Sequence, residues 1–218
     1  MLEPINARPI ANAGLDQVVE ASGPGGALVT LNGAASVDPD RDDLMFAWRD
    51  AGGALLATTQ RSTVELAVGV HAITLTVDDG KAGSTADSVT VKVQDATPPA
   101  VTLTAPLAGQ MLTGPVGVAA TAADAVGVVE LQFLVGDVAQ GAPLTSAPFA
   151  MTWDTRKASD GEHVLTAVAR DAAGNIGVSA PVRVTTDNVP PRLSVAGRPA
   201  ILWPPNNTVA TVTMTVSV

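Results

Sequence analysis

The 218 residues are 46% hydrophobic and only 15% charged, with 20 Gly and 16 Pro; this excludes a disordered chain, which would be charge-rich and poor in apolar residues. A net charge of −9 repels nucleic-acid phosphates and anionic lipid, so nucleic acid is not an expected partner. The absence of cysteine excludes disulfides, thiolate zinc sites and cysteine nucleophiles.

Runs of Val, Ala, Leu and Thr cut by Gly, Pro and Asp predict an all-β chain. From the N-terminus, strands are expected over 15–20, 27–32, 44–50, 53–57, 62–67, 70–78 and 85–94. In the third of these, Leu44, Phe46 and Trp48 alternate onto one face. A Trp midway along the third strand is where an immunoglobulin-like sandwich buries one, which assigns Trp48 to the core. A second set follows over 100–104, 115–122, 127–135, 137–141, 147–153, 162–170 and 177–186. Seven short strands in about 90 residues, with turns about every 8–12, indicate tandem immunoglobulin-like β-sandwiches. No stretch has sustained helical periodicity.

The two sets share a repeat. A shift of 92 positions maps Gly69 to Gly161, His71 to His163, Thr74 to Thr166 and Asp79 to Asp171. The same shift maps Asp95, Pro98 and Pro99 to Asp187, Pro190 and Pro191. The matched endings "DATPP" and "DNVPP" read as linkers, stiffened by paired prolines. The expected organisation is therefore one module over 7–96, a second over 97–188, and the start of an incomplete third over 189–218. The last segment carries at most two strands and cannot enclose a core. No apolar run is long enough to span a bilayer, so membrane insertion is not expected. Met1-Leu-Glu-Pro does not open a signal peptide, and the targeting segment of an exported protein would lie outside this chain.

The segment "PIANAGLDQVVEASGPGGALVTLNGAASVDPDRDDLMFAWRD", followed by "GVHAITLTVDDG", resembles the PKD (polycystic-kidney-disease) repeat of secreted bacterial proteins. It departs from the common W-x-F-G-D-G segment, where "FAWRDAGG" stands instead, as in a recognised subgroup. "VGVVELQFLV" and "VARDAAGN" resemble a bacterial Ig-like domain, and "ILWPPNN" the opening of another. The resemblance implies extracellular or cell-surface, non-catalytic modules that serve as rod-like spacers or adhesion stalks in a larger bacterial protein. The alternative it leaves is an accessory, polymer- or carbohydrate-binding region of a secreted depolymerase. Expected partners are other modules of the same polypeptide and an extracellular polysaccharide or protein.

The stretch "SVDPDRDD", with Asp38, Asp40, Asp42 and Asp43 around Arg41, concentrates the chemistry. Catalysis is not expected: glycosidases need two carboxylates across a cleft, there is no H-E-x-x-H motif, and His71 and His163 share one repeat position, which suits a turn cap. Asp-Pro-Asp is also a good hydrated turn, and Arg41 offsets part of its charge. The D-x-D-x-D spacing can gather hard oxygens around calcium, although the EF-hand pattern is not met. In calcium-binding PKD domains the ligands come from the N-terminal segment, this loop and the loop after the sixth strand. That resemblance implies a structural calcium held by Asn12, Asp38, Asp40 and Asp78 or Asp79. In the second module the candidates are Asp124, Asp171 and Asn175. For sugar binding, Trp203, beside Pro204 and Pro205, is the one aromatic expected to be exposed.

Overall fold

A computed structural model describes residues 5–81 and 83–190. Residues 191–218, and with them Trp203 and most of the expected third module, lie outside the described residues. The fold is all-β and immunoglobulin-like. Seven strands form the first sandwich: β1 (Gln17–Glu20), β2 (Ala27–Asn32), β3 (Met45–Asp50), β4 (Leu55–Ala57), β5 (Arg61–Leu66), β6 (Gly69–Asp78) and β7 (Ser84–Gln94). One sheet has the order β1-β7-β6-β3-β4, and β2 pairs with β5 across the core. Alternation decides which side chains face inward. Along β2, Ala27, Val29 and Leu31 are buried and their neighbours exposed. They meet Trp48, the Ile73–Leu75–Val77 face of β6 and the Val89–Val91–Val93 face of β7.

The second sandwich contains β8 (Ala100–Ala105), β9 (Met111–Leu112), β10 (Pro115–Ala123), β11 (Val128–Val135), β12 (Val138–Leu144), β13 (Phe149–Asp154), β14 (Gly161–Asp171), β15 (Ile176–Val178) and β16 (Val182–Thr186). Its sheets have the orders β13-β10-β8 and β12-β11-β14-β16-β9, with β15 added on β14. Leu131, Phe133, Trp153, Leu165 and Val184 lie at its centre.

The 92-residue repeat reaches the register of the parallel ladder, while the antiparallel ladder beside it slips by one residue, from Gly69 opposite Val93 to Gly161 opposite Thr186. Val19 pairs with Val93 in the parallel β1–β7 ladder, and Met111 with Thr185 in the parallel β9–β16 ladder; both members of the pair move by the same shift. The short strand β9 is not among the sequence expectations, because two residues give no readable period. The strand expected over 177–186 is divided into β15 and β16. Pro181 has no N–H for the ladder, and the Ser179 hydroxyl accepts from the Ala167 N–H at 3.0 Å in the gap.

Candidate functional site

The loop between β2 and β3 carries "SVDPDRDD" at one end of the first sandwich. Much of its acidity is consumed locally. Asp38 Oδ1 accepts from the N–H groups of Asp40 and Asp42 at 2.7 and 3.3 Å. Asp40 Oδ2 accepts from the Ala7 N–H at 2.7 Å, which ties the N-terminal segment to the loop. Arg41 turns the chain with φ +68°, in the left-handed region. The countercharge is not Arg41 but Lys81, whose Nζ lies 2.6 Å from Asp42 Oδ1. That hydrogen bond, then the charges of Asp42, Asp79 and Asp38, raise the Lys81 ammonium above its ordinary range.

The residues singled out for calcium are divided between one group and three separate positions. Asp38 and Asp40 do converge, in a group completed by Asp42, with ligand oxygens all within 4.8 Å of one another. Asn12 is exposed and folds its Oδ1 onto the Gly14 N–H at 2.9 Å. Asp78 Oδ1 caps the Gly80 N–H at 2.7 Å. Asp79 is buried and structural: Asn6 Nδ2 donates to Oδ2 at 2.8 Å, and the Lys81 and Gly83 N–H groups to Oδ1 at 2.7 and 3.1 Å. The Asn6 amide first, then those N–H groups, hold its carboxyl below the usual range. Two oxygens of the loop, Asp38 Oδ2 and Asp42 Oδ2, are buried with no hydrogen-bond partner.

The histidines cap turns. His71 Nε2 bonds the Ala67 carbonyl at 2.8 Å, and His163 Nε2 the Ser159 carbonyl at 2.7 Å, both four residues back. The two described tryptophans present no platform to a sugar: Trp48 is 0% exposed and Trp153 4%. Trp153 lies beneath an open groove of about 630 Å³ whose lining includes Met151, Lys157 and His163.

A second acidic group lies where the linker enters the second sandwich. It joins Asp95, Asp124 of the β10–β11 loop and Asp171 at the end of β14, again within 4.8 Å. Asp124 and Asp171 are visible in the sequence as turn acids. Asp95 is not, because nothing in "DATPP" distinguishes a ligand from an ordinary linker residue. Burial raises the Asp95 carboxyl, and the Asp171 and Asp124 carboxylates push it further. At Asp171 burial also acts upward, but the Asn175 side chain and N–H, with the Gly174 and Ala173 N–H groups, outweigh it and hold the carboxyl low.

Residues 99–167 match the bacterial Ig domain family. The comparison with curated proteins found no match. Among solved structures, the fibronectin(III)-like modules of Clostridium thermocellum CbhA are 19% identical, with TM-score 0.37, covering 83% of this chain and 93% of that one. The endo-beta-1,4-mannanase of Thermotoga petrophila is 17% identical over 44% of this chain, with TM-score 0.36, and the match spans 21% of the mannanase. Drosophila N-cadherin EC1-4 is 16% identical over 84% of this chain, with TM-score 0.39, and the match spans 50% of that chain. No helix among the described residues is long and apolar enough to cross a membrane.

Proposed function

We propose that this chain is a non-catalytic, extracellular spacer and interaction segment of a larger bacterial secreted or surface protein, in which the first sandwich is the PKD-like unit. The observation that carries this reading is the joint at 95–99, which is held from both sides. Glu20 Oε1 accepts from the Ala96 N–H and the Thr97 hydroxyl at 2.7 and 2.9 Å. Asn175 Nδ2 donates to the Asp95 carbonyl at 3.1 Å. Val126, from the β10–β11 loop, packs against the core of the first sandwich. Contacts of this kind limit relative motion, which is what a spacer requires and what a flexible Gly/Ser linker does not supply.

Calcium at Asp38, Asp40 and Asp42 belongs to the same reading. The donor-free oxygens of Asp38 and Asp42 support it, while Lys81 already supplies one positive charge there.

The test uses the chain's lack of cysteine. Thr63→Cys and Thr152→Cys, both at exposed strand positions, carry spin labels on the two sandwiches. A single narrow distance distribution is expected. A broad one, as two freely jointed bodies give, overturns the spacer reading.

A further inference from the structure

The charge balance of the two acidic groups differs. The loop group has Lys81 against it, whereas none of the ion pairs among the described residues includes Asp95, Asp124, Asp171 or Glu20. Three carboxylates are thus drawn together with Glu20 nearby and no cation in contact.

One carboxylate oxygen of each of Asp95, Asp124 and Asp171 lies within 4.8 Å of the others. Asp124 Oδ1 is held by the Val126 and Gly127 N–H groups at 2.8 and 2.9 Å. Asp171, only 1% exposed, is fixed by Asn175, which donates its N–H to Oδ1 and its Nδ2 to Oδ2, both at 2.8 Å. Asp95 Oδ2 is sealed from solvent and has no hydrogen-bond partner at all. A sealed carboxylate oxygen without a donor, beside two further carboxylates, carries a desolvation cost that no hydrogen bond to that oxygen offsets.

We propose that Asp95, Asp124 and Asp171 form a calcium site that spans the joint, with Asp95 contributed by the linker and the other two by the second sandwich. The ligands are all hard oxygens, which select calcium or magnesium over softer metals. Two calcium–oxygen distances sum to about 4.6–5.2 Å, so one calcium reaches oxygens 4.8 Å apart. Magnesium, at about 2.0–2.1 Å and with strict octahedral geometry, fits worse. Asp95 Oδ2 then gains its missing partner. Asn175 holds both Asp171 and the Asp95 carbonyl, so the ligands are positioned before the ion arrives. The site stands on this geometry alone; the spacer reading only gives it a use.

The test is calorimetric titration of the full chain with calcium chloride, then with magnesium chloride. Asp95→Asn keeps the shape and removes the charge; Asp42→Asn perturbs only the other acidic group. Extracellular modules bind calcium with a Kd of about 10⁻⁴–10⁻³ M. The expected result is binding in that range that weakens at least about tenfold, roughly 1.4 kcal/mol, in Asp95→Asn and keeps its affinity in Asp42→Asn. In chelator, Asp95→Asn should melt above the parent, since it relieves the uncompensated charge, and calcium should raise its melting temperature less than it raises the parent's. No calcium binding to the parent, or equal affinity and equal thermal response in parent and Asp95→Asn, overturns the proposal. The label distances address the spacer reading separately, so the two can fail independently.

Discussion

Gly177 lies directly against the backbone of Pro99: a Cβ on Gly177 would be 1.8 Å from the Pro99 carbonyl oxygen and 2.8 Å from its carbonyl carbon. The contact seats the linker on β15, and neither partner is a flexible side-chain end that can step aside. Gly177→Ala should therefore displace the linker and cost about 1–3 kcal/mol, the range for overpacking. Gly117→Ala is the control, since nothing lies within 4 Å of its Cβ position. Thermal melts should separate the two variants, and only Gly177→Ala should broaden the distance distribution between labels on the two sandwiches.

Trp48 is 0% exposed, and its Nε1 donates to the Thr59 carbonyl at 3.0 Å. Trp48→Ala should cost about 3–5 kcal/mol. Trp48→Phe retains most of the packing but leaves that carbonyl without its donor, so a smaller loss is expected. Denaturant midpoints of the first sandwich, followed by circular dichroism, rank the two. Equal midpoints for Trp48→Ala and the parent would remove Trp48 from the core.

The two capping histidines predict unequal costs. His71→Ala removes one hydrogen bond to the Ala67 carbonyl, about 0.5–1.5 kcal/mol. His163→Ala removes the matching bond and also an edge-to-face contact with Trp153, centroids 5.6 Å apart. Such ring pairs add about 0.5–1.5 kcal/mol. The larger loss should therefore fall on His163→Ala in equilibrium unfolding, with a change in Trp153 fluorescence that His71→Ala does not cause.

Asp79 predicts an acid limb in stability. Its folded carboxyl titrates below its unfolded value, held down first by Asn6. The stabilisation is therefore fully present above the unfolded value of about 3.9 and is lost as pH falls through the lower folded value. Stability measured from neutral pH downward should decline more steeply in the parent than in Asp79→Asn. Asn6→Ala should give an intermediate slope, because the Lys81 and Gly83 N–H groups remain.

The sequence by itself determined the strand pattern, the buried Trp48 and the doubled architecture. Period-two alternation is local, and a copied segment such as Gly69–Asp79 and Gly161–Asp171 carries its turn cap with it. Only the tertiary structure decided which acids meet. Asp40 is committed to the Ala7 N–H and Asp79 to the Asn6 amide, contacts separated by 33 and 73 positions that no spacing rule encodes. Asp42 draws Lys81 across 39 positions, so one acidic loop finds its countercharge within the chain. Asp95 reads as a linker residue until the fold sets it beside Asp124 and Asp171. The physical reason is range: side-chain periodicity records which face of a strand is dry, whereas a charge responds to whatever the closed loops bring within a few ångströms.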